Sequence, residues 1–374
     1  MKILIVSEVG WGFLRQRHHE VALHFASKGW EVTFIGPTLF RIPTLKRIFN
    51  KVSNSIQSGA SNKNLVAERV KIETPENLRI KKSFIIPNTF FKYWNTVYSK
   101  YLLKTSNFNL IYSFTPSVNE IICEKKMWER LVFDIIHNWW NIPSKPEDFD
   151  NKFEFLMQNA GAIVTDSSDI FKRLNRRQHS KQKHLMLPGL NLPKNYSVKP
   201  RTKDNNTLKF LFFGNLRQNS DIELLNKLAS IEYVSITVIG IMDASIINQV
   251  AKEIEYRGSM SQGEIFDISA EFDGLLLPYK QDAFSTTISP AKFYECLVMD
   301  RLIITRSDLS IFKGYEDYIL QLNDLERIDY NTLRSTVERH DANLSYKDML
   351  PDHYTWDERL NGLDKFLKEG LDFG

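Results

Sequence analysis

The chain has 374 residues, 43% of them apolar and 25% charged, the composition of a soluble globular protein with room for two domains and a large core. Its two cysteines, Cys123 and Cys296, are far apart, which excludes a disulfide framework or a cysteine zinc site and fits a reducing cytoplasm. The net charge is only +4 but uneven, since 13 Lys/Arg face 3 Asp/Glu between Arg41 and Lys104, and such an excess points to an anionic partner.

The N-terminus MKILIVSEVGWGF has one basic residue and no small-residue cleavage site, so it reads as a first strand rather than a signal peptide. KILIVS at Lys2–Ser7 is continuously apolar, as in a parallel sheet covered on both faces. A loop with Gly10 and Gly12 follows, then a helix in which Val21, Ala22 and Phe25 share a face and Gly29 is the stop. EVTFIGP at Glu31–Pro37 is the next strand. The unit has the order of a right-handed βαβ crossover. It lacks GxGxxG, so a dinucleotide site is not indicated.

Ser53–Asn64 is polar and reads as a loop. Lys81–Lys104 interleaves lysines with Phe84, Phe90, Phe91, Tyr93, Trp94, Tyr98 and Tyr101. On a surface this mixture suits an anionic membrane interface; as a helical stripe it equally suits a core. No nucleic-acid module accompanies the charge, so nucleic acid is not expected as a partner. No apolar run approaches the roughly 20 residues that span a bilayer.

Strand-like runs recur at Asn109–Phe114, Leu131–Ile136, Ala162–Ser167 and His184–Gly189, with helical stretches between several of them. The polar stretch 191–207 reads as an interdomain linker. A second α/β series follows at Leu208–Gly214, Ser235–Gly240, Phe272–Pro278 and Arg301–Ser307. Between its last two strands lies TTISPAKFYE, Thr286–Glu295. Ser289 fits a helix N-cap and Pro290 the first helical position. The helix start, with Lys292 and the hydroxyls of Thr286 and Thr287, suits a phosphate. Glu295 lies on the same face one turn deeper, placed for a ribose diol. The same ten residues also fit an ordinary capped helix with a solvated Lys–Glu pair. The chain ends in an amphipathic helix with Trp356, Leu360, Leu363 and Phe366 at helical spacing.

With these residues in hand, the chain resembles GT-B glycosyltransferases, in particular the family 1/family 4-like enzymes of bacterial capsule, O-antigen and exopolysaccharide synthesis. ISPAKFYECLVMDRLIIT is similar to their "ispxKxyEYlaxGkPvi" signature, and FDGLLLPY and GNLRQNSDIELLNKLA fit their donor domain. RQRHHEVALHFASKGWEVTFI resembles "RxxHxAxxLaxxGhxVxfi", and LVFDIIHNWWNIP stands in the place of "YDxxDDWxxF". The resemblance implies two Rossmann-like α/β domains with parallel sheets. Residues 1–190 would bind the acceptor, 191–207 would link, 208–345 would bind the donor, and 346–374 would return to the N-domain.

The resemblance also implies site residues. Glu295 would take the ribose hydroxyls. Lys292, Ser285, Thr286, Thr287 and Ser289 would hold the pyrophosphate, with Arg217 after the Gly214 turn as a second cation. Tyr256 and Gly258 would lie near the nucleobase, with Pro278 and Tyr279 lining the donor side. Gly12, Arg15, Asn138 and Trp139 would meet the acceptor. The donor is expected to be a nucleoside-diphosphate sugar, with UDP favoured, and the acceptor a glycan or lipid-linked saccharide. No cofactor and no metal are expected, because a helix start with Lys292 and Arg217 supplies fixed positive potential. A cytoplasmic enzyme, peripheral on the inner membrane face, fits these expectations.

An imidazole suits the general base of an inverting transfer at neutral pH. His137 follows a strand end, where ligand sites of α/β sheets gather. His18 and His19, near the first helix start, are the other candidates, and Asp134 is a further one if it does not point into the sheet. Each histidine also fits a structural role. The sequence departs from the family at three places. Thr287 stands eight residues before Glu295, where retaining enzymes often carry an acid. Asp300 replaces a glycine, and His137-Asn138 replaces Asp-Asp. The anomeric outcome is therefore left open. A non-catalytic sugar-nucleotide-binding partner and a nucleotide-sugar epimerase of the same fold are the alternatives.

Overall fold

The computed structural model describes residues 1–12, 15–38, 70–72, 88–141, 148–177, 181–192, 196–202, 206–282, 287, 289–343, 350 and 353–371. The chain divides into two compact units, Met1–Leu187 with Trp356–Gly374, and Pro188–Thr355.

The first unit holds a seven-stranded sheet, β1 (Lys2–Val6), β2 (Glu31–Ile35), β3 (Val70–Ile72), β4 (Leu110–Ser113), β5 (Leu131–Ile135), β6 (Ala162–Thr165) and β7 (Gln182–Leu185). Its order is β3-β2-β1-β4-β5-β6-β7, and every pairing is parallel. The continuous apolar runs of the sequence have their cause here. Along β1, Ile3 and Ile5 enter one core while Leu4 and Val6 enter the other, so both faces are covered. Helix α1 (Arg17–Ser27) puts Val21, Ala22 and Phe25 into the first of these cores, and Gly29 after it has φ of 88°. The last helix of the chain, Trp356–Gly370, completes the same core with Trp356, Leu360, Leu363 and Leu367. Its amphipathic stripe is thus buried on the first unit, far from it in sequence.

The second unit holds a six-stranded parallel sheet, β8 (Leu208–Phe213), β9 (Val234–Ile239), β10 (Glu255–Tyr256), β11 (Gly274–Leu276), β12 (Leu302–Thr305) and β13 (Ile319–Gln321), in the order β10-β9-β8-β11-β12-β13. Phe210 and Phe212 face one core, Leu211 and Phe213 the other. In both sheets the order reverses beside the first strand, and ligands of such folds gather outside the carboxyl ends at that point.

One expectation differs from the structure. The helix of the TTISPAKFYE stretch runs Lys292–Val298 with Ala291 as its N-cap, so Ser289 and Pro290 precede it. The Pro290 carbonyl accepts from the Phe293 N–H at 3.0 Å, a turn that delays the helix. The stretch 191–207, where described, belongs to the second unit. The Tyr196 hydroxyl donates to the Val298 carbonyl at 3.1 Å, and Arg201 pairs with the buried Asp273.

Candidate active site

At the carboxyl edge of the first sheet, Glu8 follows β1, His137 follows β5 and Asp166 follows β6. Parallel topology brings these three chain segments to one edge. The Glu8 carboxylate meets His137 Nε2 at 3.0 Å, and the His137 ring stands edge-on to Trp139, with centroids 5.6 Å apart. Asp134, one step back within β5, is fully buried. It accepts from Arg17 Nε at 2.8 Å, Arg17 Nη2 at 3.0 Å and the Tyr112 hydroxyl at 2.7 Å. Arg17 Nη1 donates to the Met186 carbonyl at 2.6 Å. Burial alone would lower the Arg17 pKa, but the Asp134 carboxylate more than offsets it and the net shift is upward. Asp134 is therefore a structural anchor for α1 and is not placed as a base. Asp166 is pushed up to about 6, first by burial and then by the Asp134 charge.

The neighbouring histidines behave differently. His19 uses both ring nitrogens: Nδ1 accepts from the Gln16 N–H at 3.1 Å, and Nε2 reaches the Trp11 carbonyl at 3.1 Å. Its ring stacks on Phe34, and burial lowers its pKa. That geometry makes His19 a cap of the α1 start and leaves no nitrogen for a proton from a substrate. His18 is 2% exposed, packs on Phe114 with centroids 4.1 Å apart, and has no hydrogen-bond partner at either nitrogen. Its pKa lies well below the ordinary value, first through burial and then through His19, His137 and Arg17. Arg15 is half exposed, and its guanidinium forks onto the buried Glu20 carboxylate at 2.5 and 2.7 Å. Gly12 is exposed with open space where a Cβ would stand, so nothing there requires glycine. Asn138 and Trp139 are buried.

At the carboxyl edge of the second sheet, β8 ends at Gly214 and β9 at Gly240. Their φ values of 131° and 135° lie in the range that favours glycine. A Cβ on Gly214 would sit 2.3 Å from Lys292 Cε and 2.7 Å from Nζ, and one on Gly240 would meet the Gly214 carbonyl at 2.0 Å. The first turn of the helix Lys292–Val298 thus lays its ammonium directly on the Gly214 turn. One turn further on, Glu295 is half-buried and accepts from Gln262 Nε2 at 2.6 Å. Burial raises the Glu295 pKa, against the opposing pull of Lys292 and the Gln262 hydrogen bond. Gln262 opens the helix Gln262–Ile268, capped by Ser261. Beside it the Tyr256 ring is exposed while its hydroxyl donates to the Gly240 carbonyl at 2.7 Å, and the Gly240 N–H donates to the Gly258 carbonyl at 2.7 Å. Gly258 has φ of 71°.

The remaining expected donor residues are less gathered. Arg217 is exposed, Thr287 half-buried and Ser289 buried. Pro278 is buried, and its carbonyl accepts from the Asp221 N–H at 2.8 Å. Tyr279 is half-buried, and its phenol is pushed up first by burial. Ser285 and Thr286 lie outside the described residues. Sequence reasoning missed Glu8, Asp166, Gly240 and Gln262. Glu8 and Asp166 each follow an apolar strand, where such groups gather, and Gly240 follows β9 as Gly214 follows β8. Gln262 carries no sequence signal. Among the described residues no cluster of three or more His, Cys, Asp or Glu could hold a metal ion.

Most of the basic stretch from Arg41, including Ser53–Asn64 and Lys81–Pro87, lies outside the described residues. Its end forms α2 (Asn88–Thr105). This helix exposes Lys92, Trp94, Val97, Tyr101 and Lys104, while Asn95, Thr96 and Ser99 are buried with Leu102 and Leu103. Among the described residues no helix is long and apolar enough to cross a membrane.

The sequence matches no protein-family model and no curated protein. Solved structures do match over the whole chain. A sucrose-phosphate synthase from Thermosynechococcus elongatus superposes with a TM-score of 0.63 at 12% identity, covering 98% of each chain. HepE from Anabaena, in complex with UDP and glucose, gives 0.60 at 11% identity over 98% of this chain and 99% of that one. A glycosyltransferase from Rickettsia africae gives 0.55 at 13% identity over 98% of each. The chain has the GT-B fold. At these identities the likeness concerns the fold, and the chemistry rests on the residues at the two edges.

Proposed function

We propose that the protein is a glycosyltransferase that moves a sugar from a nucleoside-diphosphate donor, UDP-linked for preference, to a saccharide or lipid-linked saccharide of a bacterial surface glycan. One observation carries this reading: Gly214, Lys292, Glu295 and Gln262 converge at the carboxyl edge of the second sheet. Lys292 on the glycine turn offers a fixed cation for the diphosphate, which stabilises the leaving group without requiring a metal. Glu295, oriented by Gln262, is placed to accept from the ribose diol. The Tyr256 ring, held by its hydroxyl, is a flat surface for the base. The complex of HepE with UDP and glucose is consistent with a nucleotide in this fold.

In the transfer, the bond from the sugar anomeric carbon to the diphosphate oxygen breaks, and an acceptor hydroxyl oxygen takes its place. The hydroxyl proton needs a base. His137 is our choice for an inverting reaction. With the Nε2–H donating to the Glu8 carboxylate, Nδ1 is the basic nitrogen of the ring. The exposed aromatic and lysine face of α2 supports docking on an anionic membrane from the cytoplasmic side. Vesicle co-sedimentation unchanged by neutralising Lys92 and Lys104 would count against it.

The deciding experiment is a calorimetric panel of UDP, GDP, ADP, CMP and UDP-sugars on the wild type and Glu295→Ala. Selective binding of one nucleotide, lost in the variant, is the expected outcome. No nucleotide binding, or equal binding by the variant, would remove the reading. Acceptor-dependent release of the nucleoside diphosphate then separates a transferase from a silent binder or an epimerase.

A further inference from the structure

We propose that the edge formed by His18, Trp139 and the Glu8–His137 pair is an acceptor subsite for an uncharged, hydroxyl-rich saccharide unit, and not for a phosphorylated or carboxylated one. The inference rests on the glycosyl-transfer reading and narrows its acceptor.

Buried polar groups are nearly always hydrogen-bonded. His18 is 2% exposed and Trp139 7%, yet both imidazole nitrogens and the indole N–H lack a partner. The His137 ring stands edge-on to Trp139, and its charge bears on His18. A neutral imidazole presents one donor and one acceptor, and an indole presents one donor. A sugar hydroxyl both gives and accepts, so adjacent hydroxyls of one ring match this set. A phosphate or carboxylate oxygen only accepts and would leave the imidazole acceptor unmatched.

Charge points the same way. Two arginines at this edge are already held by acids, Arg15 by Glu20 and Arg17 by Asp134, while Arg173 lies over the Trp140 ring. Glu20 also places a negative charge in the first turn of α1, where the helix start would otherwise favour an anion. Glu8 and Asp166 add further carboxyl groups. An anionic ligand would therefore meet carboxylates beside two arginines that are already paired.

The test uses the labelled full chain with the nucleotide selected by the calorimetric panel. It is applied to an array of neutral, uronate-containing, sulfated and phosphorylated glycans. Neutral glycans should bind best. His18→Phe, which removes both nitrogens, should weaken them about tenfold or more, while His18→Gln, which keeps a donor and an acceptor, should stay within about threefold. Trp139→Phe should lose about threefold. Nucleotide affinity in each variant, set by the second unit, should match the wild type and reports that the chain is folded. Preferred binding of anionic glycans, wild-type glycan binding by His18→Phe, or nucleotide binding with no glycan bound would overturn this inference alone. A protein that binds no nucleotide would overturn the transfer reading and this inference with it.

Discussion

At the carboxyl edge of the first sheet Arg15 is held by Glu20 and Arg17 by Asp134. At the carboxyl edge of the second, neither Lys292 nor Arg217 has a carboxylate within ion-pair distance among the described residues. The two sheets share strand order and parallel pairing, so topology does not make the difference. It comes from what faces each cation. In the first unit a buried acid fixes the arginine as structure. In the second a glycine turn receives the lysine and leaves its charge for a ligand. On the proposed reading, a shared scaffold thus carries an edge for an anionic donor and an edge for a neutral acceptor.

If His137 is the base of the first edge, His137→Ala should lower turnover by about 10²–10⁴-fold, with nucleotide affinity unchanged in calorimetry. Full turnover would move the base to Asp166. Asp134→Ala leaves Arg17 as a buried charge without its partner and should destabilise the protein by about 3–5 kcal/mol, read in urea unfolding. Replacing Arg17 and Asp134 together by Met and Leu should recover much of that loss. If the single change is harmless, the arginine is not engaged as described.

In the second unit Lys292→Ala should leave the fold intact and weaken nucleoside-diphosphate binding by about 10–150-fold, the worth of a charge-assisted hydrogen bond of about 1.5–3 kcal/mol. An equal loss for the nucleoside without phosphates would show that Lys292 acts through packing instead. Glu295 sharpens the same point through pH. Its carboxyl is raised above its ordinary value by burial, and a ribose diol is best held by the carboxylate. Donor affinity should therefore fall as pH drops, starting above the usual glutamate range. Glu295→Gln should bind more weakly at neutral pH and lose that acid limb. A wild-type affinity that is flat into the ordinary carboxylate range would refute the role.

Much of this was legible in the sequence. Strands buried on both faces read as unbroken apolar runs, and β1, β2, β4, β5, β8 and β9 were all visible that way. The strands that escaped, Val70–Ile72, Glu255–Tyr256 and Ile319–Gln321, lie at or next to sheet edges and are too short to show a period. Lys292 and Glu295 were legible because one helix carries both. The Glu8–His137 pair was not, since only the β1-β4-β5 adjacency joins two residues so distant in the chain. In α2 the pattern left open which face is buried. Thr96 and Ser99 bond to the carbonyls of Lys92 and Asn95, four residues back, at 2.8 and 2.6 Å. Their polarity is thereby satisfied inside the helix, and they can be buried while Trp94 and Tyr101 face out.

The smallest expected effect separates the two units by stability. His18, His19, His24 and His184 all have lowered pKa values, each chiefly through burial, and all lie in the first unit. A histidine whose folded pKa is depressed binds protons more readily when unfolded. Its contribution is present above the unfolded value near 6.5 and is lost as pH falls through it. Asp166 works in the opposite sense, because with a folded pKa of about 6 it takes up its proton first in the folded state and stabilises below that pH. The first unit should therefore lose stability as pH falls through the unfolded histidine value near 6.5, with Asp166 opposing the loss below about pH 6. Hydrogen exchange at pH 7.5 and 6, corrected for intrinsic rates, should show protection falling in β1, β4 and β5 and holding in β8 and β9. His18→Phe should reduce the fall. Equal loss in both sheets would mean that the buried histidines do not set the first unit apart, and with it the contrast between an edge closed by its own acids and one left open for an anion would lose its thermodynamic half.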